Sequence, residues 1–342
     1  MIYVISDIHG MYDALKNLIW QLEDIGDVSE LIFLGDYIDY GPSSKEVLDF
    51  LIELQYPKTF LAGNHEDLLL QYIHKDIRDR HFSDSFWLSD NEGERTVRSL
   101  VGKYSMERNA RGEYGSVESK NIWFNEKLEK RYLDFFNNLQ YSIRREINGQ
   151  RYLFTHANVL DNGKEDIRNY FDKSTYTLFH AYLHQQNIYG ALSPMNYRPY
   201  KEYEPMSSQK VAHIDDYIVI HGHTPVCTIN GLPEVYNKHC CPCIETNVQY
   251  DCNVKCEAEY IGEETVLQFD IDRSDICSVN IDTGAVLGQR LSAFGIDNEK
   301  SAKRRNSNGH EYTVVQALTN TINKNKAWLR RYRYIVKDNT VD

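Results

Sequence analysis

Short apolar runs that each end in acidic, amide or histidine residues are the feature that most restricts the fold of this chain. Residues 2–5, 31–34 and 59–62 predict three buried strands, and apolar residues at helical spacing lie between them. Strands that alternate with helices over short connections predict a mainly parallel sheet flanked by helices.

Three later apolar runs, at 152–155, 217–220 and 276–281, predict further strands. The stretches of about 76–148 and 160–216 are polar and rich in tyrosine, with helical periodicity. We interpret these two stretches as helical insertions that cover the sheet.

Five of the apolar runs end in residues that can bind metal ions. The polar residues are Asp7 and His9, then Asp36 and Asp39, then Asn64, His65 and Glu66, then His156, and finally His221 and His223. A single aspartate after a strand is usually a turn or cap residue. Five clusters at the same end of successive strands instead favour a site, because ligands bind beyond the carboxyl ends of strands in open α/β sheets.

The ligand types in these clusters are oxygen and imidazole, without cysteine. Such donors suit divalent manganese, iron, zinc, cobalt or nickel. They are numerous enough for two ions, and two ions about 3.5–4 Å apart can stabilise both the attacking and the leaving oxygen of an in-line displacement.

The order of the motifs resembles the calcineurin-like metallophosphoesterase superfamily, in its bacterial and phage phosphoprotein phosphatase branch. SDIHG (6–10), GDYIDYG (35–41), GNHE (63–66), THA (155–157) and GHTP (222–225) resemble the five family motifs. NIDTGA (280–285) and the segment 87–93 are also similar to that branch. The resemblance covers about residues 1–295. It implies a β-sandwich of mixed sheets flanked by helices, with an inserted helical region.

The resemblance also implies roles for individual residues. Asp7 and His9 would bind one metal ion, Asp36 would bridge two ions, and Asn64, His156 and His223 would bind the second. Manganese is the favoured ion, with iron, zinc, cobalt or nickel as alternatives. A metal-bridging hydroxide would attack the phosphorus directly, His65 would protonate the leaving group as general acid, and Asp39 would orient His65 and raise its pKa.

Tyr40 departs from the family pattern, which has an arginine here that grips the phosphate. A tyrosine supplies neither a charge nor a bidentate fork. The candidate replacements are Arg95, Arg98, Arg168 and Arg198. We expect Tyr40, Glu66, His221 and Asp282 to lie around the metal ions or against the substrate. Asn158 stands where the family often has glycine.

Cysteines are concentrated in a loop of about residues 227–256. Cys240, Cys243, Cys252 and Cys256 have a spacing that can form a structural zinc site. The alternative is a loop with free, partly buried thiols.

Charge and apolar content restrict the location and partners of the protein. Its net charge of −12 argues against non-specific nucleic-acid binding, although residues 296–342 carry +5. We treat this basic extension as distinct from a catalytic domain at 1–295. Its composition predicts either a solvated surface helix with a frayed end or an arm for an anionic partner such as nucleic acid. No run is long enough for a membrane span and no secretory signal is evident, so we expect a cytoplasmic protein.

The leading functional hypothesis is a metal-dependent phosphatase that acts on phosphoserine, phosphothreonine or phosphotyrosine in proteins. The alternatives are a symmetric dinucleoside polyphosphate (diadenosine tetraphosphate) hydrolase and a nucleic-acid end phosphatase. A binding scaffold on an inactive phosphatase fold is a further alternative. It is disfavoured because all six expected ligands and His65 are present.

Overall fold

Alternating strands and helices form the first part of the chain. The computed structural model describes residues 1–74, 86–102, 117–159, 175–186, 214, 217–229, 232, 236, 240–246, 256–261, 264–298, 310–318 and 330–337. The first elements are β1 (Ile2–Ile5), α1 (Tyr12–Ile25), β2 (Glu30–Phe33), α2 (Ser44–Glu53), β3 (Lys58–Phe60) and α3 (Asn64–His74). The next are α4 (Gly93–Val101), α5 (Val117–Lys127), α6 (Lys130–Asn137), β4 (Ser142–Ile147), β5 (Gln150–Thr155), α7 (Tyr176–Gln186) and β6 (Tyr217–His221).

The remaining elements are strands. They are β7 (Cys243–Thr246), β8 (Cys256–Ile261), β9 (Glu264–Asp272), β10 (Ile276–Asn280), β11 (Arg290–Ile296), β12 (His310–Leu318) and β13 (Arg330–Lys337). Within the described residues these strands form two sheets, with the orders β3-β2-β1-β11-β12-β13-β9-β8 and β4-β5-β6-β10-β7.

Both sheets are mixed. β1, β2 and β3 are parallel, as are β5, β6 and β10, so the strands that lead into the polar loops run side by side. β11, β12 and β4 pair antiparallel with their neighbours. The mixed architecture implied by the family resemblance is therefore confirmed, whereas the expectation of a mainly parallel sheet is wrong. The reason is that later hairpins extend each sheet with antiparallel strands.

The alternation of side chains along β1 shows how the layers are built. Ile2 and Val4 pack into a core shared by the two sheets, whereas Tyr3 and Ile5 face the other way, into the cluster that contains the helices. Leu15 and Leu18 of α1 are fully buried in that second cluster. Burying each such side chain contributes about 1.5–3 kcal/mol, so this layer fixes the position of the loop that follows β1.

The basic extension does not form the predicted surface helix in its described residues. β12 and β13 pair with one another, and they join the first sheet through β11 and β9. Tyr312 and Val314 of β12, and Tyr332 and Tyr334 of β13, alternate into the core shared by the sheets. This period of two is the sequence signal for strands that our helical interpretation missed.

Two of the predicted loop and insertion regions also contain strands. β4 lies inside the stretch 76–148 that we predicted to be helical, and β7 lies inside the cysteine-rich loop. The division of the chain at residue 295 stays a prediction. Across the described residues, no helix is both long and apolar enough to cross a membrane.

Candidate metal centre

The six predicted metal ligands lie on loops that leave the sheets at adjacent strand ends. Asp7 and His9 follow β1, Asp36 follows β2, and Asn64 begins α3 after β3. The second sheet contributes two more side chains, His156 after β5 and His223 after β6. All six are buried, so the two sheets bring together a group of polar side chains that water does not solvate freely.

The backbone of these loops adopts the left-handed conformation at several residues other than glycine. The φ angles are 55° at Asp7, 46° at His9, 56° at Asp36, 67° at Asp39, 55° at Tyr40 and 71° at His223. Each such residue costs on the order of 1–3 kcal/mol unless its surroundings hold it in place. Backbone hydrogen bonds between the first two loops do so, from the His9 amide to the Asp36 carbonyl and from the Gly10 amide to the Tyr37 carbonyl, both at 2.8 Å.

Asp36 is the centre of the cluster. Its Oδ2 atom lies 3.3 Å from Nε2 of His9 and 3.4 Å from Nε2 of His156. Nε2 of His156 in turn lies 2.9 Å from Oδ1 of Asn64 and 3.2 Å from Nδ1 of His223. Two groups of ligand atoms that could each hold an ion therefore share Asp36, one with His9 and His65 and the other with His156 and His223.

The second nitrogen of two histidines shows that the cluster fits a divalent cation. Nδ1 of His9 lies 2.9 Å from the Ile38 carbonyl, and Nδ1 of His156 lies 3.0 Å from the Leu34 carbonyl. A carbonyl only accepts, so the proton of each neutral ring is assigned to Nδ1 and the Nε2 lone pair faces the cluster. This arrangement is usual for histidines that bind metal ions.

The charges in the cluster act strongly on one another. Burial opposes ionisation of Asp36, but His156, His65 and His9 hold the pKa of its carboxyl well below the usual value. Burial likewise opposes the charge on His156, and Asp36 raises the pKa of that imidazole to about 9. Burial lowers the pKa of His9. A divalent cation would balance the negative charge of Asp36 in place of a proton on the imidazoles.

His65 lies beside the predicted ligands with its ring held by Asp39. Nδ1 of His65 lies 2.7 Å from Oδ2 of Asp39, and its Nε2 lies 4.0 Å from Oδ2 of Asp36. Burial opposes the charge on His65, but Asp36 and Asp39 raise the pKa of its imidazole to about 9. The structure thus brings the predicted general acid and its predicted orienting carboxylate together.

Two further side chains hold Asp39, and the sequence predicted a role for neither. Nε1 of Trp87 donates to Oδ2 of Asp39 at 2.9 Å, and the Thr96 hydroxyl donates to Oδ1 at 2.5 Å. Thr96 also accepts a hydrogen bond from the Asp39 amide at 2.9 Å. The similarity of segment 87–93 to the phosphatase branch drew attention to the segment that contains Trp87, but it did not predict the contact with Asp39.

Glu66 joins the second and third loops. Its buried carboxylate accepts hydrogen bonds from the amides of Asp36 and Tyr37 at 2.8 Å and from the amide of Gly63 at 2.9 Å. Burial, with the nearby Asp36 charge, raises the pKa of Glu66 to about 7. Every one of these partners is a backbone N–H group that donates to the carboxylate. Glu66 therefore fixes the loops that carry Asp36 and Asn64.

A cleft of about 940 Å³ opens over Asp36 and is lined by Asp7, His9, Asn64, His65 and His223.

Among the described residues that line the cleft, Arg95 is the only lysine or arginine. Its Nη1 donates to the Tyr40 carbonyl at 2.8 Å, and its Nε donates to Glu92. Arg98 instead pairs with Glu94 on the exposed side of α4. Arg168 and Arg198 lie outside the described residues.

Tyr40 stands at the edge of the cleft. Its ring meets the rings of His9 and His65 edge-on, with centroids 5.1 Å apart in both pairs. The position that holds arginine in the family therefore presents an aromatic ring here. The guanidinium of Arg95 donates a hydrogen bond to the backbone carbonyl of the same residue.

His221 and Asp282 are both buried near the cluster. Nε2 of His221 lies 3.3 Å from Oε2 of Glu245, and Asn158 donates to the same oxygen at 3.0 Å. Asp282 lines the cleft and accepts a hydrogen bond from the Gly284 amide at 2.9 Å. Burial, followed by the Asp7 charge, raises the pKa of Asp282 well above its usual value.

The predicted zinc site stays a prediction. Cys240 and Cys243 are buried, while Cys252 and the Cys256 side chain lie outside the described residues. In the part of the chain that the structure describes, the groups of three or more side chains that could hold a metal ion contain no cysteine.

Comparison with known proteins agrees with this geometry. Residues 1–227 match the sequence profile described as "Calcineurin-like phosphoesterase". A segment of 70 residues is 40% identical to "Serine/threonine-protein phosphatase 2" of Escherichia coli (strain K12), which is 20% of this chain and 31% of that protein. A segment of 68 residues is 38% identical to "Bis(5'-nucleosyl)-tetraphosphatase, symmetrical" of Salmonella paratyphi A, which is 20% of this chain and 24% of that protein.

The chain thus spans less than a third of the length of these curated relatives. The solved structure of a cold-active protein-tyrosine phosphatase from a psychrophilic Shewanella is similar with a TM-score of 0.45 and 14% identity. That match covers 93% of this chain and 77% of the other.

Proposed function

The chain belongs to the calcineurin-like phosphoesterase family, and on that premise we propose that it is a metal-dependent phosphatase that hydrolyses phosphomonoesters of proteins. One observation carries the proposal. Asp36 lies within 3.4 Å of imidazole nitrogens from both sides of the cluster, while His65, held by Asp39, lies at the edge of the cleft. This arrangement can bind two ions and place a proton donor beside them.

The two ligand sets lie on opposite sides of Asp36 and share its carboxylate. Asp7, His9 and Asp36 would hold one divalent ion, and Asp36, Asn64, His156 and His223 would hold the other. When bound, such ions would activate water and offset the negative charge of a phosphate. Manganese is the ion we favour.

The chain's own residues would orient the phosphate and move the proton. Nδ1 of His65 is engaged by Asp39, so Nε2 is the atom that can give a proton to the leaving oxygen. An alkoxide leaving group is a strong base, and its protonation raises the rate by about 10²- to 10⁴-fold. Arg95, at the rim of the cleft, would supply the positive charge that Tyr40 cannot.

A dinucleoside polyphosphate is the second candidate substrate. Its support is the relative named as a symmetrical bis(5'-nucleosyl)-tetraphosphatase, whose identity of 38% is close to the 40% of the protein phosphatase. The net charge of −12 does not favour nucleic-acid ends as the substrate. In β13, Arg331 pairs with Asp24 and Arg333 pairs with Glu311. We propose a cytoplasmic location for the reaction.

A direct comparison of substrates tests the proposal. The protein, stripped of metal and supplied with Mn²⁺, is incubated with a phosphoserine peptide and, in parallel, with diadenosine tetraphosphate. We expect the higher kcat/KM for the phosphopeptide, with His65→Asn lowering it and the exposed control Asp13→Asn leaving it unchanged. Release of adenosine diphosphate at the higher kcat/KM would select the second candidate, and no turnover of either by folded protein would contradict both.

A further inference from the structure

Two thiols lie against one another behind the wall of the cleft. Cys227 is half-buried in the short 3-10 turn Val226–Thr228, four residues after His223. Cys240 is buried, and its thiol lies close enough to that of Cys227 for each to shift the pKa of the other. Neither cysteine takes part in the proposed phosphatase chemistry.

Backbone contacts fix the position of both sulfur atoms. Sγ of Cys240 lies 3.3 Å from the Thr283 carbonyl, and a Cβ atom added at Gly284 would lie only 3.0 Å from Sγ of Cys227. The turn that carries Cys227 is itself tied to this loop, because the Val226 amide donates to the Asp282 carbonyl at 2.9 Å. The loop at 282–284 therefore holds the two sulfurs side by side.

The two thiols differ in their exposure, since Cys227 is half-buried and Cys240 is buried. The contact with Cys240 lowers the pKa of Cys227 to about 7, and the same contact raises the pKa of Cys240. A half-exposed thiol beside a buried one matches the arrangement of an attacking and a resolving cysteine. Other cysteines differ, since burial raises the pKa of Cys243 well above its usual value and that of Cys277 to about 12.

We propose that Cys227 and Cys240 are a redox modification site that forms a reversible intrachain disulfide with hydrogen peroxide as oxidant. The Cys227 sulfur attacks one peroxide oxygen, the O–O bond breaks, and hydroxide leaves and takes up a proton, so that Cys227 becomes a sulfenic acid. The Cys240 sulfur then attacks the Cys227 sulfur, the S–S bond forms, and the S–O oxygen leaves as water with the Cys240 proton. Overall, two thiols lose two electrons and two protons, and the peroxide becomes two molecules of water.

The disulfide would change the hydrogen bonding behind the cleft. Cys240 would no longer have a proton to share with the Thr283 carbonyl. The turn after His223 would become covalently tied to the segment that carries Cys240. A dithiol reductant would restore both thiols by exchange.

Mapping of the oxidised protein tests the proposal without any variant. The full-length chain is treated with hydrogen peroxide under native conditions, the remaining thiols are alkylated, and the digested protein is analysed by mass spectrometry. We expect the loss of two thiols per chain, a linked peptide that joins Cys227 to Cys240, and recovery of both thiols with dithiothreitol. A bond from Cys227 to another cysteine, or Cys227 oxidised while Cys240 stays open to alkylation, would overturn the proposal.

Two variants sharpen this result. In Cys240→Ser, Cys227 lacks its resolving partner, so we expect no disulfide and further oxidation of Cys227 to a sulfinic acid. Cys277→Ser serves as the control and should lose two thiols as the unaltered chain does. Loss of two thiols from Cys240→Ser at the unaltered rate would contradict the assignment.

Discussion

Nδ1 of His65 lies 2.7 Å from Oδ2 of Asp39, and both side chains are buried. The pair joins the loop after β2 to the start of α3, so it depends on the relative position of two neighbouring strands. The geometry leaves Nε2 of His65 as the atom that faces the cleft.

Replacing Asp39 should impair turnover according to the leaving group. Asp39→Asn removes the charge that favours a protonated His65, so we expect kcat for a phosphoserine peptide to fall by about 10²-fold or more. An aryl phosphate needs little protonation of its leaving group and should lose far less. Steady-state kinetics with both substrates check this, with Asp13→Asn as the exposed control. Equal losses on the two substrates would contradict a proton-donating role.

Removing the Thr96 hydroxyl should weaken the same pair indirectly. Thr96→Val deletes the donor to Asp39 and leaves the Asp39 amide without its acceptor, at a cost of about 1–3 kcal/mol in the free energy of unfolding. Turnover of the phosphoserine peptide should fall more than turnover of the aryl phosphate. Thr96→Ser keeps the hydroxyl and should behave like the unaltered chain in urea unfolding and in kinetics. If Thr96→Ser were as impaired as Thr96→Val, the methyl group and not the hydroxyl would be what matters.

Arg95 and Arg98 allow a matched test of phosphate binding, since both are exposed arginines of α4. Arg95 lines the cleft and Arg98 does not. Arg95→Ala should raise KM for a phosphorylated substrate by about tenfold, equivalent to about 1.4 kcal/mol of lost binding. Arg98→Ala should leave KM unchanged. Equal effects of the two substitutions on KM would mean that only the overall charge of the helix matters.

Gly222 leaves no room for a side chain next to a predicted ligand. A Cβ atom there would lie 2.0 Å from Oδ2 of Asp7. Gly222→Ala should therefore displace the Asp7 carboxylate and lower the number of Mn²⁺ ions bound per chain, as measured by elemental analysis after dialysis. Gly102 has φ 86° and nothing within 4 Å of an added Cβ, so Gly102→Ala should cost on the order of 1–3 kcal/mol of stability but no metal. Full metal content in Gly222→Ala would contradict the assignment of Asp7.

The sequence predicted which polar side chains lie together better than it predicted the sheets. Asp7, Asp36, Asn64 and His156 could be placed together because each follows an apolar strand, and parallel strands end at the same edge of a sheet. The contacts of Trp87 and Thr96 with Asp39 could not be predicted, since they join residues far apart in the chain through α4.

The basic extension shows why composition misled us. Its charges suggested a solvated helix, yet Tyr332 and Tyr334 alternate with Arg331 and Arg333 in β13. Only the tyrosines enter the core between the sheets, so the strand signal lay in the alternation and not in the net charge.

Replacement of Asp36 is the most direct test of the proposed two-ion site. Turnover of an aryl phosphate is measured with metal-stripped protein as Mn²⁺ is added, for the unaltered chain and for Asp36→Asn. Replacing residues that merely support metal ligands typically costs about 10- to 100-fold. We therefore predict no turnover without metal, a saturable rise with Mn²⁺, and a loss of at least about 100-fold in Asp36→Asn. Turnover that does not depend on added metal, or a folded Asp36→Asn chain as active as the unaltered one, would contradict the two-ion site.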